Sequence, residues 1–349
     1  MGIKFEFLKA GNGDCILISV NNQSINILID GGLSKTYNMQ LKKKLESIKK
    51  KNSYLDLVVL THYDNDHIGG ILKLLENEKE AIKNGKKTII KELWFNSFDN
   101  ALVNSYTTSN QTSARQQIKF DKYIKELIPY IKYQSKISID NIKEIFLGKN
   151  NELKFTLLSP NKQKLDDLFT KFKKETIDYK TSAHSSDYTL SIDELATKEF
   201  KADGSLTNGA SIAFILEYKK LKFLFLGDAH IDLIVESLQN LGYSKNNQLK
   251  LEFIKLSHHG SSKNLNSEFL DLVDTSRFII LTNGGRHKHP NKETLAKILT
   301  HHKREKDENG HFKNDIEFIY NYEHTKEILT PNEKRAYKAL FSNREVVYL

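Results

Sequence analysis

Residues Leu55 to Gly70 have the sequence LDLVVLTHYDNDHIGG, which contains the densest group of metal-ligand side chains in the chain. Its first six residues form a short run rich in apolar and β-branched side chains, which predicts a buried strand. Four side chains of the metal-ligand type follow within six residues: His62, Asp64, Asp66 and His67. Carboxylates crowded at the end of a buried strand are unfavourable unless cations neutralise them. The pattern therefore predicts a turn that binds divalent metal.

Two later predicted strands end in residues of the same kind. The predicted strand Leu221 to Leu226 is followed by Gly227-Asp228, and the predicted strand Leu251 to Leu256 is followed by Ser257-His258-His259-Gly260. Each motif alone is typical of an ordinary turn. Together with the first motif, their order indicates one functional edge, because polar groups that follow strands gather at the rim of a sheet.

The hydrophobic pattern predicts two β-rich halves with helices, and hence an α/β fold of the αββα sandwich type, with two sheets face to face and helices outside. The other predicted strands are Ile3 to Leu8, Cys15 to Val20, Ile25 to Ile29, Ile89 to Phe95, Leu153 to Leu158, Ser211 to Tyr218 and Phe278 to Leu281. The predicted helices are Met39 to Lys51, Ile68 to Leu75, a helix that ends near Leu241, Ser267 to Val273 and Asn291 to His302.

The domain organisation follows from the same pattern. Residues 1–310 are predicted to form a hydrolase-like domain, with two polar, helix-rich insertions at about 96–150 and 161–208. Residues 311–349 are predicted to add a final strand and a C-terminal appendage, with the part from Tyr320 onward helical or mobile.

With these motifs in place, the sequence resembles the metallo-β-lactamase fold hydrolases, and among them most closely the soluble hydrolase domain of ComEC-like competence proteins. The resemblance covers residues 3 to 303. Its matching pieces are Ile27-Leu28-Ile29-Asp30-Gly31-Gly32, Thr61-His62 to Gly69-Gly70, Leu157-Leu158-Ser159-Pro160, Asn208-Gly209-Ala210-Ser211, Phe225-Leu226-Gly227-Asp228, Ser257-His258-His259-Gly260-Ser261, and Asn283-Gly284-Gly285-Arg286 with His289-Pro290.

The resemblance implies a binuclear metal centre. It makes His62 and Asp64 ligands of a first ion, and Asp66 and His67 ligands of a second. Three further roles follow from it: Asp228 bridges the ions, His258 or its alternative His259 completes the second site, and Asp30 orients the His62 to His67 turn from behind.

Two positions depart from the broad family. Asp64 stands where most members carry a second His, which favours Mn²⁺ or Mg²⁺ over Zn²⁺ at the first site. Asn208 stands where the third motif usually has His, and an amide oxygen is a weak ligand, so Asn208 is expected to support the site from behind. His184 is the alternative residue for that role, although a solvated loop histidine is the simpler interpretation.

The implied reaction is hydrolysis by a metal-bridging hydroxide, with Asp66 and Asp228 acting in catalysis through the ions that they bind. Arg286 and His289 precede Pro290, and one or both are expected to contact a substrate phosphate. The alternative interpretation of this segment is a structural turn. Cys15 lies in an apolar run and is expected to pack and take no part in the chemistry.

The net charge of the chain restricts the class of substrate that we expect. The chain has a net charge of +9, from 53 Lys and Arg against 44 Asp and Glu, and only six of the basic residues are Arg. Such an excess favours an anionic substrate through long-range attraction more than through bidentate recognition. We therefore expect a phosphodiesterase or nuclease that acts on nucleic acid with two divalent ions, Mn²⁺ or Zn²⁺ with Mg²⁺ as a further option.

Two alternatives remain open. One is a hydrolase of a small phosphoester, cyclic nucleotide, lactone or thioester, because the fold hosts many hydrolytic reactions. The other is a metallohydrolase effector subunit with a protein partner in a larger assembly, such as a defence system.

The cellular compartment is predicted from what the sequence lacks. The single Cys excludes an intramolecular disulfide framework, and apolar runs of about 18 residues are absent. We expect a cytoplasmic protein without a membrane partner.

Overall fold

The computed structural model describes residues 2–97, 112–174, 186–285 and 288–349. The chain forms two compact units. The first unit consists of Met1–Asn141, Lys162–Thr176 and Glu345–Leu349, and the second of Ile142–Asn161 and Ile177–Arg344. The boundary proposed at residue 310 stays a prediction.

The first unit contains a seven-stranded sheet in the order β17-β1-β2-β3-β4-β5-β6. Its strands are β1 (Ile3–Phe7), β2 (Ile16–Val20), β3 (Ile25–Ile29), β4 (Leu57–Val59), β5 (Glu92–Trp94), β6 (Lys132–Gln134) and β17 (Val346–Tyr348). Strands β17 to β3 pair antiparallel, and β3 to β6 pair parallel. Every residue of β3 and β4 is buried, as expected for central strands, and all of them except Asn26 are apolar.

Helices connect the parallel strands of this sheet, because a parallel pair needs a crossover. They are α1 (Ser34–Thr36), α2 (Lys42–Lys50), α3 (Asn65–Lys83) and α4 (Thr112–Leu127), and a π-helical turn, Tyr37–Leu41, separates α1 from α2. One further helix of the unit is α5 (Lys162–Lys174). Since β3 and β4 are parallel, Asp30 and Thr61-His62 leave the sheet at the same edge.

The second unit contains an eight-stranded sheet in the order β16-β15-β14-β12-β10-β9-β8-β7 and a two-stranded one formed by β11 and β13. The strands are β7 (Glu144–Leu147), β8 (Leu153–Ser159), β9 (Ala213–Tyr218), β10 (Leu221–Phe225), β11 (Leu249–Lys250), β12 (Phe253–Lys255), β13 (Val273–Asp274), β14 (Arg277–Ile280), β15 (Ile316–Tyr320) and β16 (Ala339–Asn343). Strands β10, β12, β14, β15 and β16 pair parallel, so Asp228 and the His258-His259 pair follow strands that end at one edge.

The helices of this unit pack on its apolar residues. They are α6 (Ile192–Ala196), α7 (Leu206–Gly209), α8 (Ile231–Asn240), α9 (Ser267–Leu272), α10 (Lys292–Thr300) and α11 (Pro331–Ala336). One buried cluster joins strand residues such as Leu224 and Ile254 to helix residues such as Ile234 and Phe269. This core fixes the loops that follow β10 and β12.

The structure confirms the predicted α/β class and the strands and helices predicted from the hydrophobic pattern. Most ends move by three residues or fewer, but α3 extends from Asn65 to Lys83, eight residues beyond the predicted end at Leu75. The C-terminal segment differs from its prediction. From Tyr320 onward it contains a 3₁₀ turn, the short helix α11 and two strands, so the predicted helical character applies to only part of the segment. Its strands β16 and β17 are held by pairing with β15 and β1, partners distant in sequence that local patterns do not reveal.

The two proposed insertions also contain regular elements. Segment 96–150 includes α4, β6 and β7, and segment 161–208 includes α5, α6 and α7. Parts of both segments, residues 98–111 and 175–185, lie outside the described residues. Within the described ranges, no helix is both long enough and apolar enough to cross a bilayer.

Candidate metal centre

In the first unit, three of the predicted site residues lie in direct contact. His67 Nδ1 lies 2.8 Å from Asp30 Oδ2, and His62 Nδ1 lies 3.0 Å from Thr61 Oγ1, whose hydroxyl donates to Asp30 Oδ2 at 2.8 Å. The two imidazole rings are 4.1 Å apart between centroids. With both Nδ1 atoms engaged in this way, Nε2 is the nitrogen that each ring presents for coordination, the arrangement typical of metal-bound histidines.

Asp30 is the anchor of this arrangement. Its side chain is fully buried, and Oδ1 accepts a hydrogen bond from the Thr61 backbone N–H at 2.8 Å. Burial raises the pKa of the Asp30 carboxyl, and the contact with His67 opposes that rise. Asp30 has a positive φ of 55°, a conformation that aspartate tolerates better than most residues, which turns the chain sharply after β3.

The other two ligand candidates of the first motif lie beside these histidines in sequence but differ in their surroundings. Asp64 immediately precedes helix α3, and its Oδ2 lies 3.8 Å from His62 Nε2. Asp66 Oδ2 accepts a hydrogen bond from Asn12 Nδ2 at 2.7 Å. A Cβ atom on Gly13 would approach the Asp66 backbone oxygen to 1.7 Å, so only glycine fits between the two loops.

One buried acid near this cluster was missed by the sequence analysis. Asp14 is buried, and its carboxylate forms a group with Asp30 and His67 whose ligand-type atoms lie within 4.8 Å of one another. Its only signal in the sequence is the Gly11-Asn12-Gly13-Asp14 turn, which predicts a loop and not a site.

In the second unit, Asp228 lies near both histidines of the pair. Asp228 Oδ2 is 3.9 Å from His258 Nε2 and 3.8 Å from His259 Nε2. The Asp228 backbone N–H donates to Ser211 Oγ at 3.1 Å. Both histidines have left-handed backbones, with φ of 46° and 56°, and this conformation turns the two rings towards the same carboxylate.

The two imidazoles have different supports. His259 has a side chain 3% exposed, and its Nδ1 lies 2.9 Å from the Leu281 carbonyl oxygen. His258 is 26% exposed, and its Nδ1 lies 3.5 Å from Asp203 Oδ2 and 3.3 Å from Asn264 Oδ1. Each ring thus has an oxygen behind Nδ1, so the choice between His258 and His259 stays open.

Asn208 belongs to the support of His258. Its Nδ2 donates to Asp203 Oδ2 at 2.7 Å and lies 3.3 Å from His258 Nδ1. Asp203 was missed by the sequence analysis, because an Asp-Gly pair in a polar segment predicts only a turn. Although burial raises the pKa of the Asp203 carboxyl, hydrogen bonds from His258 and Asn208 bring it well below its ordinary value.

The remaining candidates are only partly placed. His289 is buried, and its ring lies 5.0 Å from that of His258 between centroids. Arg286 and His184 lie outside the described residues, so their predicted roles stay predictions. Cys15 is buried, and burial raises the pKa of its thiol, as expected for a packing residue.

The donor set of each unit suits divalent cations. Imidazole nitrogens and carboxylate oxygens bind Zn²⁺ and Mn²⁺. Each of the four candidate ligand histidines has an oxygen atom near Nδ1: His62, His67, His258 and His259. Asp66 and Asp228 add the anionic charge that a divalent ion requires. The residues therefore fit the expected metals.

Comparison with known proteins gives one family. A family model of the Metallo-beta-lactamase superfamily matches residues 8–92, about a quarter of the 349-residue chain. A search of curated proteins finds no match.

Several solved structures are similar. The metallo-beta-lactamase fold protein YhfI from Bacillus subtilis has 10% sequence identity and a TM-score of 0.44 over 100% of both chains. Zn(2+)-bound PqqB from Methylobacterium extorquens has 13% identity and a TM-score of 0.42, covering 100% of this chain and 99% of its own. Human tRNase Z, short form, has 10% identity and a TM-score of 0.38, covering 99% and 98%. Residues 8–92, which include the His62 to His67 motif, thus have the sequence pattern of the metallo-beta-lactamase superfamily.

Proposed function

We propose that this chain is a metal-dependent hydrolase of phosphodiesters that acts on nucleic acid. The observation that carries the proposal is the hydrogen-bonded series Asp30, Thr61, His62 and His67 at the end of β3 and β4. A buried carboxylate behind imidazoles is typical of metal ligands, and these residues lie within the segment that matches the superfamily. The finer likeness, to ComEC-like competence proteins, is part of the proposal.

The ligands proposed for two divalent cations are His62, Asp64, Asp66, His67, Asp228, and His258 or His259. When bound, such cations lower the pKa of coordinated water and offset the negative charge that develops at phosphorus. Carboxylate oxygens at Asp64, Asp66 and Asp228 favour Mn²⁺ and Mg²⁺ alongside Zn²⁺.

The chain's own residues fix these ligands before substrate binds. Asp30 and Thr61 set the orientation of the His67 and His62 rings, and Asn12 holds the Asp66 carboxylate. In the second unit Asp203 and Asn208 support His258 in the same way. Fixed ligands reduce the reorganisation that catalysis requires.

Substrate recognition is proposed from charge. Arg286 and His289 are the proposed donors to phosphate oxygens, because both carry N–H groups that suit an anion. A net charge of +9 with 47 Lys among its 53 basic residues favours long-range attraction of a polyanion. Binding of nucleic acid should then weaken steeply with salt and depend little on sequence.

The proposal for the cellular compartment rests on a single observation. The buried single cysteine suits a reducing compartment, so we place the protein in the cytoplasm. A protein partner in a larger assembly, and small phosphoesters, cyclic nucleotides, lactones or thioesters as substrates, remain the alternatives to be compared in the same assay.

The test is a substrate panel. Purified protein is incubated with DNA, RNA, a chromogenic phosphodiester and acyl substrates under Mn²⁺, Zn²⁺ and Mg²⁺. The proposal predicts phosphodiester cleavage that chelation removes and metal restores. Turnover of acyl substrates alone would contradict the proposed substrate class.

A further inference from the structure

The second unit holds a further cluster of ligand-type side chains, distinct from those assigned above. Asp271 lies on α9, and His301 and His302 follow the end of α10. Asp271, His301 and His302 each offer a ligand atom, and these atoms lie within 4.8 Å of one another. None of the three matches a motif of the family resemblance.

The separations within the cluster are those of a coordination sphere. Asp271 Oδ1 lies 3.3 Å from His301 Nε2 and 3.1 Å from His302 Nε2. Two ligands at zinc-like bond lengths in a tetrahedral arrangement lie about 3.3 to 3.6 Å apart. One ion placed among the three atoms would need little movement of any side chain.

The burial of the His301 ring and the atoms that face it favour a bound cation. The His301 side chain is only 9% exposed, and neither Nε2 nor the facing Asp271 Oδ1 makes a hydrogen bond to any residue that the structure describes. An imidazole nitrogen that faces a carboxylate oxygen at 3.3 Å is held there favourably only by a shared proton or metal ion. His302 Nε2, which lies 3.1 Å from the same oxygen, adds a third ligand atom, and three converging ligands suit a metal ion better than a proton.

Nearby groups define which cations fit. Lys303 Nζ lies 3.8 Å from Asp271 Oδ1, and it donates to the carbonyl oxygens of Asp271 and Lys245. This ammonium offsets the single carboxylate charge, so the site has little attraction for Mg²⁺ or Ca²⁺, which need several anionic oxygens. Imidazole coordination remains strong for Zn²⁺ and its neighbours. A cavity of about 550 Å³, lined by His301 and Lys303 among others, gives an ion access from solvent.

We propose that Asp271, His301 and His302 form an accessory transition-metal site, with Zn²⁺ as its representative ion. The site ties α9 to the end of α10 and stabilises the second unit when occupied. It is independent of the proposed catalytic centre, since the two share no residue.

The experiment compares metal-stripped full-length wild type with His302→Ala. His302 is the more exposed of the two histidines, so its removal should leave the fold intact. His311→Ala, which changes an exposed histidine of the same unit, is the matched control. Each protein is dialysed against Zn²⁺ and its bound zinc is counted, and thermal unfolding is recorded with and without Zn²⁺.

We expect His302→Ala to bind about one zinc equivalent fewer than wild type and His311→Ala. The rise in Tm on adding Zn²⁺ should be smaller for His302→Ala, and Mg²⁺ should raise the Tm of wild type and His302→Ala equally. Asp271→Asn, which keeps the side-chain shape, should reproduce the loss of zinc.

Equal zinc content in wild type, His302→Ala and Asp271→Asn would overturn the proposal. An equal loss in His311→Ala would also overturn it, because general surface binding would then explain the difference. A protein inactive on every phosphodiester would contradict the proposed function yet leave this difference in zinc content untouched.

Discussion

Nδ1 of His67 lies 2.8 Å from Oδ2 of Asp30, although 37 residues separate them in sequence. The contact exists because β3 and β4 are parallel neighbours, so the residue after β3 meets the turn after β4 at one edge. Asp30 also receives two hydrogen bonds from Thr61. A single buried carboxylate thus sets the geometry of the His62 to His67 turn.

Replacing Asp30 with asparagine should damage both stability and metal binding. The amide offers one acceptor where the carboxylate offers two, and its N–H₂ group would face the donors that Asp30 accepts from now. We expect a loss of about 1 to 3 kcal/mol in the free energy of unfolding. Metal affinity should fall by about 10- to 100-fold. Chemical denaturation and Mn²⁺ titration would measure the two effects.

Asp56→Asn is the matched control for this change. Asp56 lies in the same unit and also accepts a backbone N–H, from Asn26, but it belongs to none of the proposed ligand sets. Its substitution should alter stability alone. If Asp56→Asn weakened metal binding as much as Asp30→Asn, the support role of Asp30 would be refuted.

Gly13→Ala should displace Asp66. The new methyl group would lie 1.7 Å from the Asp66 backbone oxygen, so one loop must move. We expect about 1 to 3 kcal/mol of destabilisation together with weaker Mn²⁺ binding. Gly204→Ala is the control, since a Cβ atom there meets nothing within 4 Å. Unchanged metal affinity in Gly13→Ala would show that the contact does not hold Asp66 in place.

Asparagine substitutions distinguish His258 from His259. Asparagine tolerates the left-handed backbone that both residues adopt, so each variant removes the imidazole while keeping the turn. We expect His259→Asn to lower metal affinity more, because His259 is the more buried ring and is fixed by the Leu281 carbonyl. Titration with Mn²⁺ or Zn²⁺ measures both. A larger effect of His258→Asn would assign the ligand to His258.

Asp121 should make stability fall as pH rises. Burial raises the pKa of its carboxyl from an ordinary 3.8 to about 6. Between those values the folded state binds more protons than the unfolded state, so stability declines through this window and the loss is complete above it. Relative to wild type, Asp121→Asn should gain up to about 3 kcal/mol on going from pH 4 to pH 7. Unfolding titrations across this range measure the difference.

Asp140→Asn provides a control of opposite sign. Hydrogen bonds from the Lys162 backbone N–H and from the Ser138 hydroxyl lower the pKa of Asp140. The contribution of Asp140 to the free energy of unfolding is therefore present at neutral pH. It is lost as the pH falls below the ordinary pKa of an aspartate carboxyl. A pH-independent difference between wild type and Asp121→Asn would mean that Asp121 is not desolvated in the folded protein.

The sequence predicts the central elements well, because strands such as β3 and β10 are predominantly apolar and are closely followed by Asp30-Gly31 and Gly227-Asp228. Short edge strands were not predicted. β6, β7, β16 and β17 are partly exposed and carry mixed residues. β7 is defined by its hairpin with β8, and β6, β16 and β17 are defined by pairing with strands further away in the sequence.

The residues of the candidate metal centre also divide into those that the sequence predicts and those that it does not. Ligand candidates that follow strands, such as His62 and Asp228, have a clear sequence signal. Asp14 lies near His67, and Asp203 lies behind His258, although each pair is far apart in sequence. A single aspartate in a turn gives no sign of its three-dimensional neighbours. The histidines at 301 and 302 at the end of α10 were read only as part of a helix, because their partner Asp271 lies 30 residues earlier.

The most direct test of the proposed metal centre is elemental analysis of bound Mn²⁺ in wild type, His62→Ala and Asp228→Ala, each equilibrated at the same free Mn²⁺ concentration. Wild type should bind about two Mn²⁺ ions per chain, and each variant should bind fewer while keeping the wild-type circular dichroism. Folded variants that retain the full wild-type manganese content would contradict the assignment of these residues as metal ligands.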